Sequence, residues 1–123
     1  MDYETLCNYL ESKLGAWRDM PFGSDALVFK VLDKMFALLA WQAEPIRISL
    51  KADPIDGIIL RKRYEAIKPG YHLNKKHWIT VTLDGSLPDD EVRQMIDDSY
   101  TLVVRGMTHS ERAKLKKKLK QKI

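Results

Sequence analysis

Two segments of the chain alternate apolar and polar residues with a period of two. Ile46, Ile48 and Leu50 stand in one phase against Arg47, Ser49 and Lys51, and Ile79, Val81 and Leu83 stand against Trp78, Thr80 and Thr82. Only extended backbone sends successive side chains to opposite sides, so each segment reads as a strand with one buried and one polar face. A chain with two such strands lays one face of an antiparallel sheet on a core and leaves the other partly open. In the second segment three aliphatics outweigh one tryptophan, which turns Trp78 away from the core with the threonines. The expected open face therefore carries Lys30, Arg47, Ser49, Lys51, Trp78, Thr80 and Thr82, with no acid among them.

The remaining elements follow from their own periods. Leu27, Phe29 and Val31 alternate with Val28 and Lys30, and a short Leu32-Asp33-Lys34 connection leads into MFALLAW, apolar in both phases like a central strand. Tyr3, Leu6, Tyr9, Leu10 and Leu14 recur at helical spacing, and Gly15 stands where a helix stops. Asp53-Pro54 reads as an N-cap and first-turn proline, with Ile55, Ile58 and Ile59 as the stripe of a short helix ending in RKRY. Pro88 and the acids Asp89, Asp90 and Glu91 open a helix whose stripe runs through Val92, Met95, Ile96, Ser99 and Val103. Thr108-x-x-Glu111 is a capping box for a last helix with Leu115, Leu119 and Ile123 at four-residue spacing. The fold class is α+β: a single antiparallel sheet with the N- and C-terminal helices packed on one face. Residues 1–107 form the body and 108–123 a basic helical tail.

At 123 residues, 45% hydrophobic and 31% charged, the chain is one ordinary globular domain, not a disordered, collagen-like or coiled-coil sequence. The longest unbroken apolar stretch, Met35 to Trp41, is far short of the ~20 residues of a bilayer crossing. The N-terminus lacks a basic region followed by an apolar one, and a lone Cys7 has no internal partner, so a cytoplasmic location is expected. The net charge of +4 is unevenly spread: residues 111–123 carry +6, so everything before them sums to −2. Within the body a +5 segment at 61–77 precedes a −5 segment at 84–98.

No Gly-rich phosphate loop, nucleophile elbow or metal-spaced Cys/His set is present. His72 and His77 read as surface or turn histidines, the acids of 89–98 as helix-dipole partners, and Cys7 as a small packed residue. PGYHLNKKHWITVTLDGSLP stands apart, because it sets two lysines, an amide and a histidine at the approach to the strand that bears Trp78. Two readings of it stay open. It is a platform for phosphates and a stacked base, or Trp78 packs under the tail helix and the lysines are solvated.

HLNKKHWITVTLDGSLPDDEV, followed by DDSYTLV and preceded by KMFALL and SLK in matching order, resembles the MmcQ/YjbR family over about residues 3 to 105. The resemblance maps the family's motif onto Asn74, Lys75, Lys76, His77, Trp78, Ser99 and Tyr100. It implies a frataxin-like, or CyaY-like, fold and a DNA-binding role, the label that members commonly carry. The frataxin comparison implies iron handling as well, but the first helix bears only Glu4 and Glu11 after Asp2, so no metal or cofactor is expected. The expectation is a small non-catalytic module, favoured as a monomer, that binds DNA or nucleic acid generally. Its phosphate contacts would come from Lys30, Arg47, Lys51, Arg61, Lys62, Arg63, Lys75 and Lys76, with Asn74, His77 and Trp78 beside them. Lys114, Lys116, Lys117, Lys118 and Lys120 of the tail would add affinity without sequence preference. The alternatives are a protein-interaction module and a small-molecule or enzymatic pocket around His77, Trp78, Ser99 and Tyr100.

Overall fold

A computed structural model describes residues 1–121. Six antiparallel strands form one sheet in the order β1-β2-β3-β4-β6-β5. They are β1 (Ala16–Asp19), β2 (Leu27–Val31), β3 (Lys34–Ala40), β4 (Arg47–Lys51), β5 (Ile67–Pro69) and β6 (Trp78–Thr82). Four helices accompany them: α1 (Tyr3–Glu11), α2 (Pro54–Arg63), α3 (Asp89–Arg105) and α4 (His109–Gln121). The expected α+β class and single antiparallel sheet are present. β1 and β5, four and three residues long at the two sheet edges, are additions to the expected strands.

The core lies between the sheet and α1 and α3. Leu6 and Leu10 of α1 and Val92, Met95 and Ile96 of α3 pack on Phe29, Ile48, Leu50, Ile79 and Val81, the inward phase of the alternation. Burying aliphatic side chains of this size contributes about 1.5–3 kcal/mol each. Tyr9 donates its hydroxyl proton to Asp97 at 2.6 Å, and Lys13 pairs with the same carboxylate, which ties α1 to α3. The first helix ends at Glu11, with Ser12 as its C-cap, about one turn earlier than expected; Leu14 lies outside it and is exposed. Gly15 takes φ +75, and the tip of Leu115 fills the space a side chain there would need.

Ser99 is the one polar group of α3 driven into this core, and the β-bulge explains it. The β2–β3 register shifts between Phe29 and Lys30, leaving Phe36 as an extra residue, and the β3–β4 ladder stops at Ala37–Leu50. The next pair would be Phe36 with Lys51. Instead Ser99 Oγ donates to the Phe36 carbonyl at 2.6 Å and accepts the Lys51 N–H at 2.8 Å, replacing the missing ladder bond.

α2 corrects the expected stripe. Asp53 caps it and Pro54 starts it as expected, but Ile55, Ile58 and Ile59 face solvent. The inward side is the buried Gly57 with the half-buried Leu60, and it rests against Ile79 and Ala52. α4 carries the expected capping box, with Glu111 N–H on Thr108 Oγ1 at 3.1 Å and Thr108 N–H on Glu111 Oε1 at 3.0 Å. It docks on the body through buried Leu115 and half-buried Leu119; Ile123 lies outside the described residues. Among the described residues no helix is long and apolar enough to cross a membrane.

Candidate nucleic-acid interface

The sheet face away from α1 and α3 carries the outward phase of every strand: Trp17, Lys30, Leu38, Arg47, Ser49, Lys68, Trp78 and Thr80. It is less open than the alternation implies. Two loops lie over it, residues 20–26 between β1 and β2 and residues 70–73 after β5. Beneath them Ser49 and Thr80 are buried and share a hydrogen bond of 2.7 Å between their hydroxyls. Thr80 Oγ1 also accepts the Tyr71 N–H at 2.9 Å, which pins the second loop to the sheet. The first loop is held by Trp41 Nε1 and Gln42 Nε2, both donating to the Ser24 carbonyl.

Between the loops runs a groove of about 510 Å³, floored by Leu38, Ala40, Ser49 and Thr80. Phe22 on one bank and Tyr71 on the other are 63% and 60% exposed, unusual for aromatic rings on a folded surface. His72, at φ +58, sits against the Tyr71 ring with centroids 4.1 Å apart. Arg47 is half-buried in the groove with its guanidinium 5.6 Å from the Tyr71 ring centre, and it forms no ion pair among the described residues. An unpaired cation beside an aromatic face in an apolar groove is arranged to receive an anion joined to a flat or apolar group. Asp25 is the one acid on the groove's wall.

The other expected site residues are scattered. Lys30 is neutralised by Asp19, a carboxylate on the same face at 2.8 Å, whose hydrogen bond from Lys30 holds it below the usual carboxylate range. Lys51 ends β4 opposite Trp78 and borders a second cleft, about 220 Å³, between α2 and α3. Arg61, Lys62 and Arg63 ride on α2, on the helix-covered side of the sheet, so they do not join the open face. Asn74 is a turn former, its Oδ1 accepting the N–H groups of Lys76 and His77, and Lys75 reaches back to the Gly70 carbonyl at 2.9 Å. Lys76 and His77 are exposed and Trp78 is half-buried. Gly70 lies so close that a side chain there would meet Trp78 Cβ at 2.7 Å.

Ser99 and Tyr100 belong to the opposite side of the sheet from Trp78. Tyr100 stacks edge-on to Phe36 and donates to the Leu14 carbonyl, and burial pushes its phenol up. These two therefore do not form one pocket with His77 and Trp78. Lys114, Lys116, Lys117, Lys118 and Lys120 are exposed on α4, which docks by Gly15 and the β2–β3 turn. Phe22 and Tyr71 are missed by sequence pattern; the available signal is an aromatic residue inside a turn, in PFG and PGY, where a ring has no core to enter.

Comparison with known proteins places this geometry in a family. The YjbR family model matches residues 11–102. YjbR of Escherichia coli K12 is 35% identical over 112 residues, covering 91% of this chain and 95% of its own. YbdF of Escherichia coli O157:H7 is 38% identical over 96 residues, covering 78% of this chain and 79% of its own. A crystal structure of the Deinococcus radiodurans protein DR2400, described with the domain DUF419, superposes with a TM-score of 0.86 at 42% identity. That match covers 93% of this chain and 87% of the other. A Pseudomonas syringae protein gives 0.72 at 33% identity, over 84% of this chain and 99% of its own. The matched segment runs from the end of α1 to the last turn of α3, taking in the bulge that Ser99 bridges and both loops over the groove, and the chain belongs to the YjbR family.

Proposed function

We propose that the protein is a non-catalytic cytoplasmic module that binds single-stranded nucleic acid across the groove of its open sheet face. The observation that carries this reading is the pair of exposed rings, Phe22 and Tyr71, on facing banks of a groove that also holds the unpaired Arg47. A base enters the groove and stacks on a ring while its phosphate meets the guanidinium. Every base has a π-face, so the contact needs no particular sequence. Lys68 on the same face, and Lys76 and His77 at the strand end, extend the track for the backbone. The α4 lysines contribute long-range attraction, not recognition. The groove is lined mostly by apolar and aromatic side chains, which suit an unstacked base better than a duplex whose bases are already stacked on each other.

Fluorescence anisotropy with a short labelled oligothymidylate tests the reading. The wild-type chain should bind the single strand more tightly than a duplex of equal length. Tyr71→Ala and Phe22→Ala should each weaken single-strand binding by about tenfold, the scale of one lost stacking contact. Equal affinity for both probes, with neither ring variant having an effect, would overturn it.

A further inference from the structure

The outward face of α2 is unaccounted for by the core or the groove. Ile55, Ile58 and Ile59 are 69%, 44% and 56% exposed, and at spacings of three and four residues they form one continuous stripe that Lys62 extends by another turn. Three β-branched side chains on a solvent face lower helix propensity and gain no burial in return. Asp56 and Arg63 stand seven residues apart, close to two full turns, so they share one flank of that stripe. Both are exposed, and neither forms an ion pair within the chain among the described residues.

We propose that two copies of this chain associate through α2, packed antiparallel across a two-fold axis close to Ile58 and Ile59. A two-fold interface must be complementary to itself, so that where one residue meets a second on the other copy, the second meets the first in return. Antiparallel packing satisfies that twice over. The isoleucine stripe meets its own copy, and along the shared flank Asp56 of one chain lies across from Arg63 of the other, in two equivalent pairs. A parallel two-fold arrangement would put the two copies of this flank on opposite sides of the seam, so neither Asp56 nor Arg63 would meet its opposite charge there. The helix also carries its acids, Asp53 and Asp56, at the start and Arg61, Lys62 and Arg63 at the end, so antiparallel packing opposes the two charges along its whole length. A ten-residue helix spans about 15 Å, and one such contact buries less than the ~800 Å² per partner of a standard stable interface. The dimer is therefore weak and concentration-dependent. It leaves the groove on the far side of the sheet free, and it stands independently of what that groove binds.

Sedimentation velocity of the full chain over a wide concentration range, at low salt, reads this directly. The wild type should pass from monomer toward dimer as concentration rises. Ile58→Glu should weaken the association at least tenfold with an unchanged circular dichroism spectrum, since the side chain it replaces is exposed. Asp56→Arg and Arg63→Asp should each weaken association, and the double variant Asp56→Arg/Arg63→Asp should restore it, because the swapped charges again face each other. A wild type that stays monomeric throughout overturns the proposal; an apolar dye whose binding is lost in Ile58→Glu would then assign the stripe to a different partner. A dimer indifferent to Ile58→Glu overturns the surface, and failure of the charge swap to restore it overturns the antiparallel arrangement.

Discussion

Ser99 shows how a side chain can be singled out by motif and still have its chemistry consumed by the fold. Its hydroxyl donates to one strand and accepts from the next at the point where the bulge at Phe36 breaks the ladder. Ser99→Ala leaves the Lys51 N–H and the Phe36 carbonyl without that buried partner, at a cost of about 1–3 kcal/mol. Urea unfolding should show that loss, while oligonucleotide affinity measured well below the midpoint stays at the wild-type value; a variant of full stability with lost binding would give Ser99 a functional role instead. Asn74, Lys75 and Tyr100 are used in the same way, closing a turn, a loop and the α1–β1 junction. Sequence could single these residues out through a resemblance, but their use depends on backbone groups made neighbours only by folding, Phe36 and Ser99 being 63 residues apart. Trp78 was legible, because its phase against Ile79 and Val81 depends on nothing beyond its own strand.

Elements were legible where a long period met a chemical signal at its end. α3 with its acidic first turn and α4 with its capping box both appear where the pattern puts them. β1 and β5 escaped notice because AWRD and IKP are too short to display an alternation and owe their conformation to the neighbouring strand. The α2 stripe misled for a different reason: period alone says that one face is apolar, not that the sheet receives it, and the side that packs is that of Gly57 and Leu60. The capping box of α4 makes a prediction of its own. Glu111 is held below the ordinary glutamate range, first by the Thr108 N–H it accepts and then by Lys34. A carboxyl depressed in the folded state adds stability above its unfolded value, about 4.3, and that stability is lost as pH falls through the lower folded value. Hydrogen-exchange protection factors along α4, taken relative to the intrinsic rate at each pH, should therefore fall on acidification below about pH 4, before those of the core strands respond. Glu111→Gln keeps an acceptor for the box but cannot titrate, so its α4 should lose most of that acid step.

At the scale of the whole molecule, charge and aromatic surface lie in different places, and that separation is testable. The exposed α4 lysines dock near the β2–β3 turn, whereas Phe22, Tyr71 and Arg47 line the groove between the two loops. Net charge is read from sequence in one pass, and it points at the tail; the groove is assembled by three strands and two loops and has no linear signature. Single-strand binding that neutralises about four phosphates should weaken with salt at a logarithmic slope near −2.8, about fiftyfold for a fourfold rise in salt. Replacing Lys116, Lys117, Lys118 and Lys120 with Gln in the full chain removes exposed charge without touching Leu115, so the fold should persist while the slope flattens. Tyr71→Ala removes no charge, so it should lower affinity at every salt concentration and leave the slope in place. If both variants change only the slope, the rings do not stack on bases and the interaction is a general attraction of the tail for polyanions. If the tail variant still binds, with a flatter slope and with a Tyr71 effect of undiminished size, recognition belongs to the groove and the tail acts on the rate of encounter.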